Sequence, residues 1–138
     1  MAYNLANEYE EFESPQEKKS ENTIAYVLSC MMELRDNAHI AHLQSRSYAE
    51  HIALNELYDA IPDLFDGLAE SWQGKYGIIS GYHAPMIQEG MNFIDYLKSK
   101  VEEVNEFRKT VKDTYIQNQL DTIVETFSGI LYKLQYLK

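Results

Sequence analysis

The sequence predicts an all-α fold, a four-helix bundle, and three observations carry that reading. Apolar residues recur three and four apart through four long stretches, the period of an amphipathic helix. No stretch of comparable length alternates apolar and polar residues as a half-buried strand does. With 3 Pro and 6 Gly in 138 residues, few positions interrupt a regular element. The length suits one domain around one core. A content of 45% hydrophobic and 25% charged residues is ordinary for a soluble globular chain.

Residues 1–13 are polar and acidic and are expected to form a loose arm, which assigns the bundle to 14–138. Ser14 to Glu17 reads SPQE, a capping box with Pro at the first helical position, so the first helix starts there or nearer Glu21. Its apolar stripe is Ile24, Val27, Leu28, Met31, Leu34, Ala38 and Ala41, and it ends near Gln44. SYAE, Ser47 to Glu50, is a second capping box and starts the next helix at about Tyr48. The second stripe is Leu54, Tyr58, Ile61, Phe65, Leu68 and Trp72, with Gly74 as the expected stop. Pro62 falls inside it and should kink the helix or loosen one turn. GKYGIISGYH reads as a connection, and Pro85 as the opening of a third helix with Ile87, Gly90, Ile94, Leu97, Val101 and Val104 on one face. Thr110 with Asp113 resembles an N-cap for the fourth, whose stripe is Ile116, Leu120, Ile123, Phe127, Ile130, Leu134 and Leu137. Each helix is expected to run about 20–28 residues.

The formal net charge is -10, from 22 acidic and 12 basic residues, and the adjacent basic pairs Lys18–Lys19 and Arg108–Lys109 both have glutamates close by in the sequence. Phosphate backbones repel such a surface, so direct nucleic acid binding is not expected. The acids keep the surface soluble or draw cations toward a site. The acidic start, MAYNLANEYEEF, does not read as a secretory signal. No apolar run approaches the length that crosses a bilayer. Cys30 is the single cysteine, which excludes an internal disulfide and fits a reducing compartment.

Two histidines bracket the expected turn between the first two helices. With only Ser45 to Ser47 joining them, the helices should run antiparallel as neighbours. His42 and His51 then stand at nearly one height and on the facing stripes. His39 lies about one turn lower and on the flank of the stripe, a weaker third. The plainer alternative is a hydrogen-bonded core pair. Asp66 and Glu70, four apart, share a face of the second helix and are able to reach one cation. His51 and Asp66 are fifteen residues apart, about 22 Å along a helix. One chain does not bring both to one ion, but two antiparallel copies around a two-fold axis do. Arg35, charged yet on the inner azimuth of the first helix, should pair with an acid or line that interface.

His51, Asp66 and Glu70, with the segment LFDGLAE, resemble the ferroxidase signature of the Dps proteins, or mini-ferritins, of the ferritin-like superfamily. The HLQ and SYAEH segments also resemble Dps-like proteins encoded by bacteriophages. The resemblance covers residues 39–74 by motif and implies a ferritin-like bundle with a long crossover between the second and third helices. Lys75 to Ala84 reaches at most about 33–36 Å and barely spans such a bundle, so a simple up-down-up-down order stays open. It implies ferrous iron bound between two subunits by the first-helix histidine, His51, Asp66 and Glu70, oxidised by peroxide or oxygen, with ferric iron stored in a hollow assembly. Zinc suits the same mixed donors as a substitute. The family spacing of twelve residues selects His39 as the first ligand, whereas height and azimuth select His42. Asn55 stands where the family carries a further Asp, which implies weaker iron affinity or one metal instead of two. The assembly implied is a homodimer or larger, up to a dodecameric cage, in the cytoplasm of a bacterial cell or a phage-infected host. The basic DNA-binding arm of the family has an acidic counterpart here.

Two other readings stay open. Arg46, Ser47 and His51 nearly match the motif of HEPN ribonucleases, with three intervening residues instead of four to six. A bundle without chemistry is the other, its 11 tyrosines serving an interaction surface.

Overall fold

The computed structural model describes residues 23–138, which contain four α-helices and no strand. They are α1 (Ile24–Gln44), α2 (Tyr48–Tyr76), α3 (Phe93–Arg108) and α4 (Thr114–Tyr136). The expected arm over 1–13 and the capping box at Ser14 lie outside the described residues.

Local chemistry starts and stops each helix. The Thr23 hydroxyl accepts from the Tyr26 amide at the head of α1. Ser47 does the same for the Glu50 amide and starts α2 at Tyr48, where the capping box places it. α2 continues through Pro62 without a break and passes Gly74; it stops at Gly77, whose φ of 94° suits only a residue without Cβ and whose N–H bonds the Gln73 carbonyl. α3 does not start at Pro85. Gly90 turns the chain at φ 70°, and the Asn92 side chain then caps the Asp95 amide, so the helix opens at Phe93 and has 16 residues. Ile87 and Gly90 therefore belong to the connection and not to the stripe of α3. Asp113 occupies the N-cap of α4, while the Thr110 hydroxyl bonds back to the Phe107 carbonyl at the end of α3.

The apolar stripes meet in one core. Leu28 and Leu34 of α1, Leu54, Leu57, Ile61 and Leu68 of α2, Leu97 and Phe107 of α3, and Ile116, Leu120, Ile123 and Phe127 of α4 are shut off from solvent. Each such side chain stabilises the fold by about 1.5–3 kcal/mol relative to an exposed one. Tyr58, Phe65 and Trp72, expected on the α2 stripe, sit half-buried at its edge, and Leu57 and Ala53 take the inner positions.

Packing places α1 beside α2 and α3, and α4 beside α2 and α3, so α2 and α3 lie across a diagonal. A short loop does not connect diagonal helices running the same way. Residues 77–92 make the connection as an extended strap laid along α1. Gly81 passes Ala25, the His83 amide donates to Ser29 Oγ, Asn37 bonds both Met86 and Gln88, and Gln44 reaches Glu89. The strap thus runs parallel to α1 from its start to its end. α3 returns antiparallel to α1, with the Tyr96 hydroxyl at Asn37 and Lys100 and Glu103 beside Cys30. Gln119 bonds Ser71 and Lys133 pairs with Glu56 at 2.5 Å, which sets α4 antiparallel to α2. Sixteen strap residues reach about 50 Å extended, ample for a bundle of such helices. No helix among the described residues is long and apolar enough to cross a membrane.

Candidate functional site

The three-residue turn brings His42 and His51 face to face. Their rings stack at 3.6 Å between centroids with 20° between planes. His42 Nδ1 lies 2.7 Å from the His51 carbonyl oxygen, and His51 Nδ1 lies 2.9 Å from the His42 carbonyl oxygen. A carbonyl oxygen only accepts, so both Nδ1 atoms carry the proton. In the neutral ring, Nε2 then holds a free lone pair, and the backbone fixes the tautomer of both rings. Imidazoles that ligate metals are held in this way, with the second nitrogen donating to a carbonyl or carboxylate. His42 is buried and His51 half-buried.

Tyr58 organises the surroundings. Its ring stands edge-on to His42 at 5.2 Å and stacks on His39 at 4.2 Å. Its hydroxyl donates to Asn55 Oδ1 at 2.7 Å, and Asn55 Nδ2 donates to Asp59 Oδ2 at 2.8 Å. Both ends of the Asn55 amide are thereby engaged. His39 is exposed, with its ring 6.0 Å from that of His42, so it flanks the stacked pair without joining it.

Asp66 and Glu70 are exposed on α2, farther along the helix that starts beside His51. Neither carboxylate has a hydrogen bond or ion pair among the described residues. Within one chain, no three His, Cys, Asp or Glu side chains among the described residues gather as a metal site. Arg35, expected on the inner azimuth, is turned out: its side chain is 46% exposed and bonds Asp36 at 3.2 Å. Ser47 and His51 both have helix-end duties, the one capping Glu50 and the other bonding the His42 carbonyl, and Arg46 is exposed.

Sequence reasoning missed Ser29 and Asn37, both fully buried polar residues of α1. Asn37 Nδ2 donates to the Met86 carbonyl and to the Tyr96 hydroxyl, and its Oδ1 accepts from the Gln88 amide. Their signal was a polar residue at a core-facing helical position, which implies a partner of its own. The same side of α1 holds the Cys30 thiol, which burial pushes up to about 11, and faces the Tyr96 phenol, which burial pushes up to about 12. His83 Nε2 lies 3.8 Å from Glu33 and completes the anchoring of the strap.

No solved structure matches the chain. An uncharacterised 14.6 kDa protein from the mobD–ri intergenic region of Enterobacteria phage T4 is 26% identical over 114 residues, which cover 80% of this chain and 83% of the phage protein. Residues 42–134 match a family of unknown function, a span that takes in His42, His51, Asp66 and Glu70 and leaves His39 outside. The chain therefore belongs to the DUF5856 family.

Proposed function

We propose that the protein is a ferritin-like, Dps-like iron protein that binds and oxidises ferrous iron at sites shared between two subunits. Each site is lined by His42 and His51 of one subunit and by the partner's Asp66 and the partner's Glu70. The observation that carries the reading is the reciprocal pair of Nδ1–carbonyl bonds, which fixes the tautomer of both rings and leaves each Nε2 as the acceptor nitrogen. Two imidazoles and two carboxylates suit ferrous iron, with zinc as a substitute. Asp66 and Glu70 lack partners among the described residues and so keep their charge available to an ion. The long strap between two parallel, diagonal helices supports a ferritin-like arrangement of the bundle.

Iron is the substrate in this reading. Two ferrous ions give one electron each to a peroxide molecule, which takes up two protons and leaves as two waters. The protein side chains hold and orient the ions. With Asn55 engaged by Tyr58 and Asp59 and adding no carboxylate, each site holds one ion tightly and the second ion of each turnover weakly. The reading needs a dimer, and a cage up to a dodecamer adds surfaces beyond this interface. A reducing cytoplasm, of a bacterium or a phage-infected host, keeps ferrous iron and the free Cys30 thiol reduced. The acidic surface gives nucleic acid no footing.

Anaerobic titration with ferrous iron tests the proposal. The expected result is about one tight ferrous ion per chain in a dimer, followed by a ferric absorption rise when peroxide is added. A protein that takes up no ferrous iron removes the metal site. One observation favours a second reading in that event. The His51 ring satisfies a carbonyl in the last turn of α1, so the stacked pair would serve as a staple for the α1–α2 turn in a structural or interaction protein.

A further inference from the structure

We infer that Arg35 forms an ion pair with the partner's Asp59, and that this pair sets the register in which two copies dock through α1 and α2. The inference rests on the two-chain site proposed above and names what holds the copies in line. Between Ile24 and Gly74 the chain carries eight acidic residues and only two cations, Arg35 and Arg46. Glu33 lies toward His83 and Glu56 pairs with Lys133, but the remaining acids still outnumber the cations, so two copies repel each other here unless their few cations meet acids of the opposite copy.

Height places Arg35 at the centre of the interface. It lies seven residues before His42 on α1, and Tyr58 lies seven after His51 on α2. The stacked histidines mark equal height, so Arg35 and Tyr58 share a level about 10 Å from that pair. A two-fold axis that sets His51 against the partner's Asp66 crosses α2 midway, between Tyr58 and Asp59. Arg35 then stands level with the partner's Asp59. Azimuth agrees, because Arg35, His39 and His42 are spaced four and three residues apart and His39 stacks on Tyr58.

Both groups have capacity to spare. Arg35 uses Nε and Nη2 on Asp36, which leaves Nη1, and Asp59 uses Oδ2 on Asn55, which leaves Oδ1. Beside Arg35 runs an open groove of about 280 Å³ lined by Asp36, His39, Ile40, Leu43 and Ile87, with Leu43 70% exposed. That groove supplies apolar area for a second copy to cover. Arg46 stands instead at the turn, level with the partner's Glu70, a carboxylate assigned to iron.

Charge reversal provides the test, with dimer dissociation followed by sedimentation across a dilution series. Arg35→Asp and Asp59→Arg should each weaken dimerisation at least about tenfold. The double variant R35D/D59R should return to within about threefold of the parent, because the pair is restored in reverse. Singles that dimerise like the parent, or a double variant no better than its worse single, overturn the inference. If the parent still binds ferrous iron as a dimer in that case, the two-chain iron site stands and only the register pair falls. A parent that is monomeric at micromolar concentration overturns both. Circular dichroism of each variant shows whether the exposed substitutions leave the helices intact.

Discussion

His51→Ala should lose ferrous iron oxidation by at least about 100-fold while keeping its helical content. In the proposed site the imidazole would give its Nε2 lone pair to the cation, and to the fold it gives a single hydrogen bond at the end of α1, where water is able to replace it. His42→Ala should be nearly as damaging, since its ring stacks on His51 and its own Nδ1–H is fixed by the His51 carbonyl. Asp66→Asn should fail as well, because it removes a charge that offsets the divalent ion. His39→Ala should stay within about threefold of the parent, as that ring is exposed and leans on Tyr58. Stopped-flow oxidation with peroxide reads all four. A reversed order, with His39 essential and His42 dispensable, would keep an iron site but move its first ligand by three residues. Parental rates in every variant would leave the histidines as a turn staple.

Asn37→Leu should cost about 2–3 kcal/mol of stability. It strips partners from the Met86 carbonyl, the Gln88 amide and the Tyr96 hydroxyl at once, and each part-buried group left unpaired is penalised. For a domain with a typical stability of about 5–15 kcal/mol, that is a large share, and Tm should fall by about 10 °C. Hydrogen exchange should rise along the strap near Met86 and Gln88 and remain slow in α4. A variant melting with the parent would mean that water, and not Asn37, holds the strap.

The parts of the fold legible in the sequence are those set by local periodicity and by short connections. The stripes of α1 and, from Ile116 to Ile130, of α4 lie where spacing puts them because both helices run long and uninterrupted. Leu137, expected to continue the α4 stripe, is exposed past the helix end, and α1 also buries Ala25, Ser29 and Asn37 under the strap. His42 and His51 meet because three turn residues leave little freedom in their relative height. The start of α3 was misread for a physical reason: Pro85, Ile87, Gly90 and Ile94 have helical spacing, yet Gly90 adopts a left-handed φ and Asn92 offers the better cap. Ser29 and Asn37 bond backbone groups of a strap about fifty residues away, a pairing that no local pattern encodes. The exposure of Arg35 escaped azimuth counting because the strap and α3 cover only one side of α1. Asp66 and Glu70 have no partner among the described residues, so the proposed site needs a second copy to use them.

The shared site is tested most directly by mixing two inactive variants. His51→Ala and Asp66→Asn are unfolded together, refolded as a mixture, and assayed for ferrous oxidation against each variant refolded alone. A mixed dimer combines the intact histidines of the Asp66→Asn chain with the intact carboxylates of the His51→Ala chain at one of its two sites, and loses both at the other. Random pairing makes half the dimers mixed, so the mixture should recover about a quarter of the parental rate. A mixture no more active than its components, although sedimentation shows that mixed dimers form, would contradict a site shared between subunits.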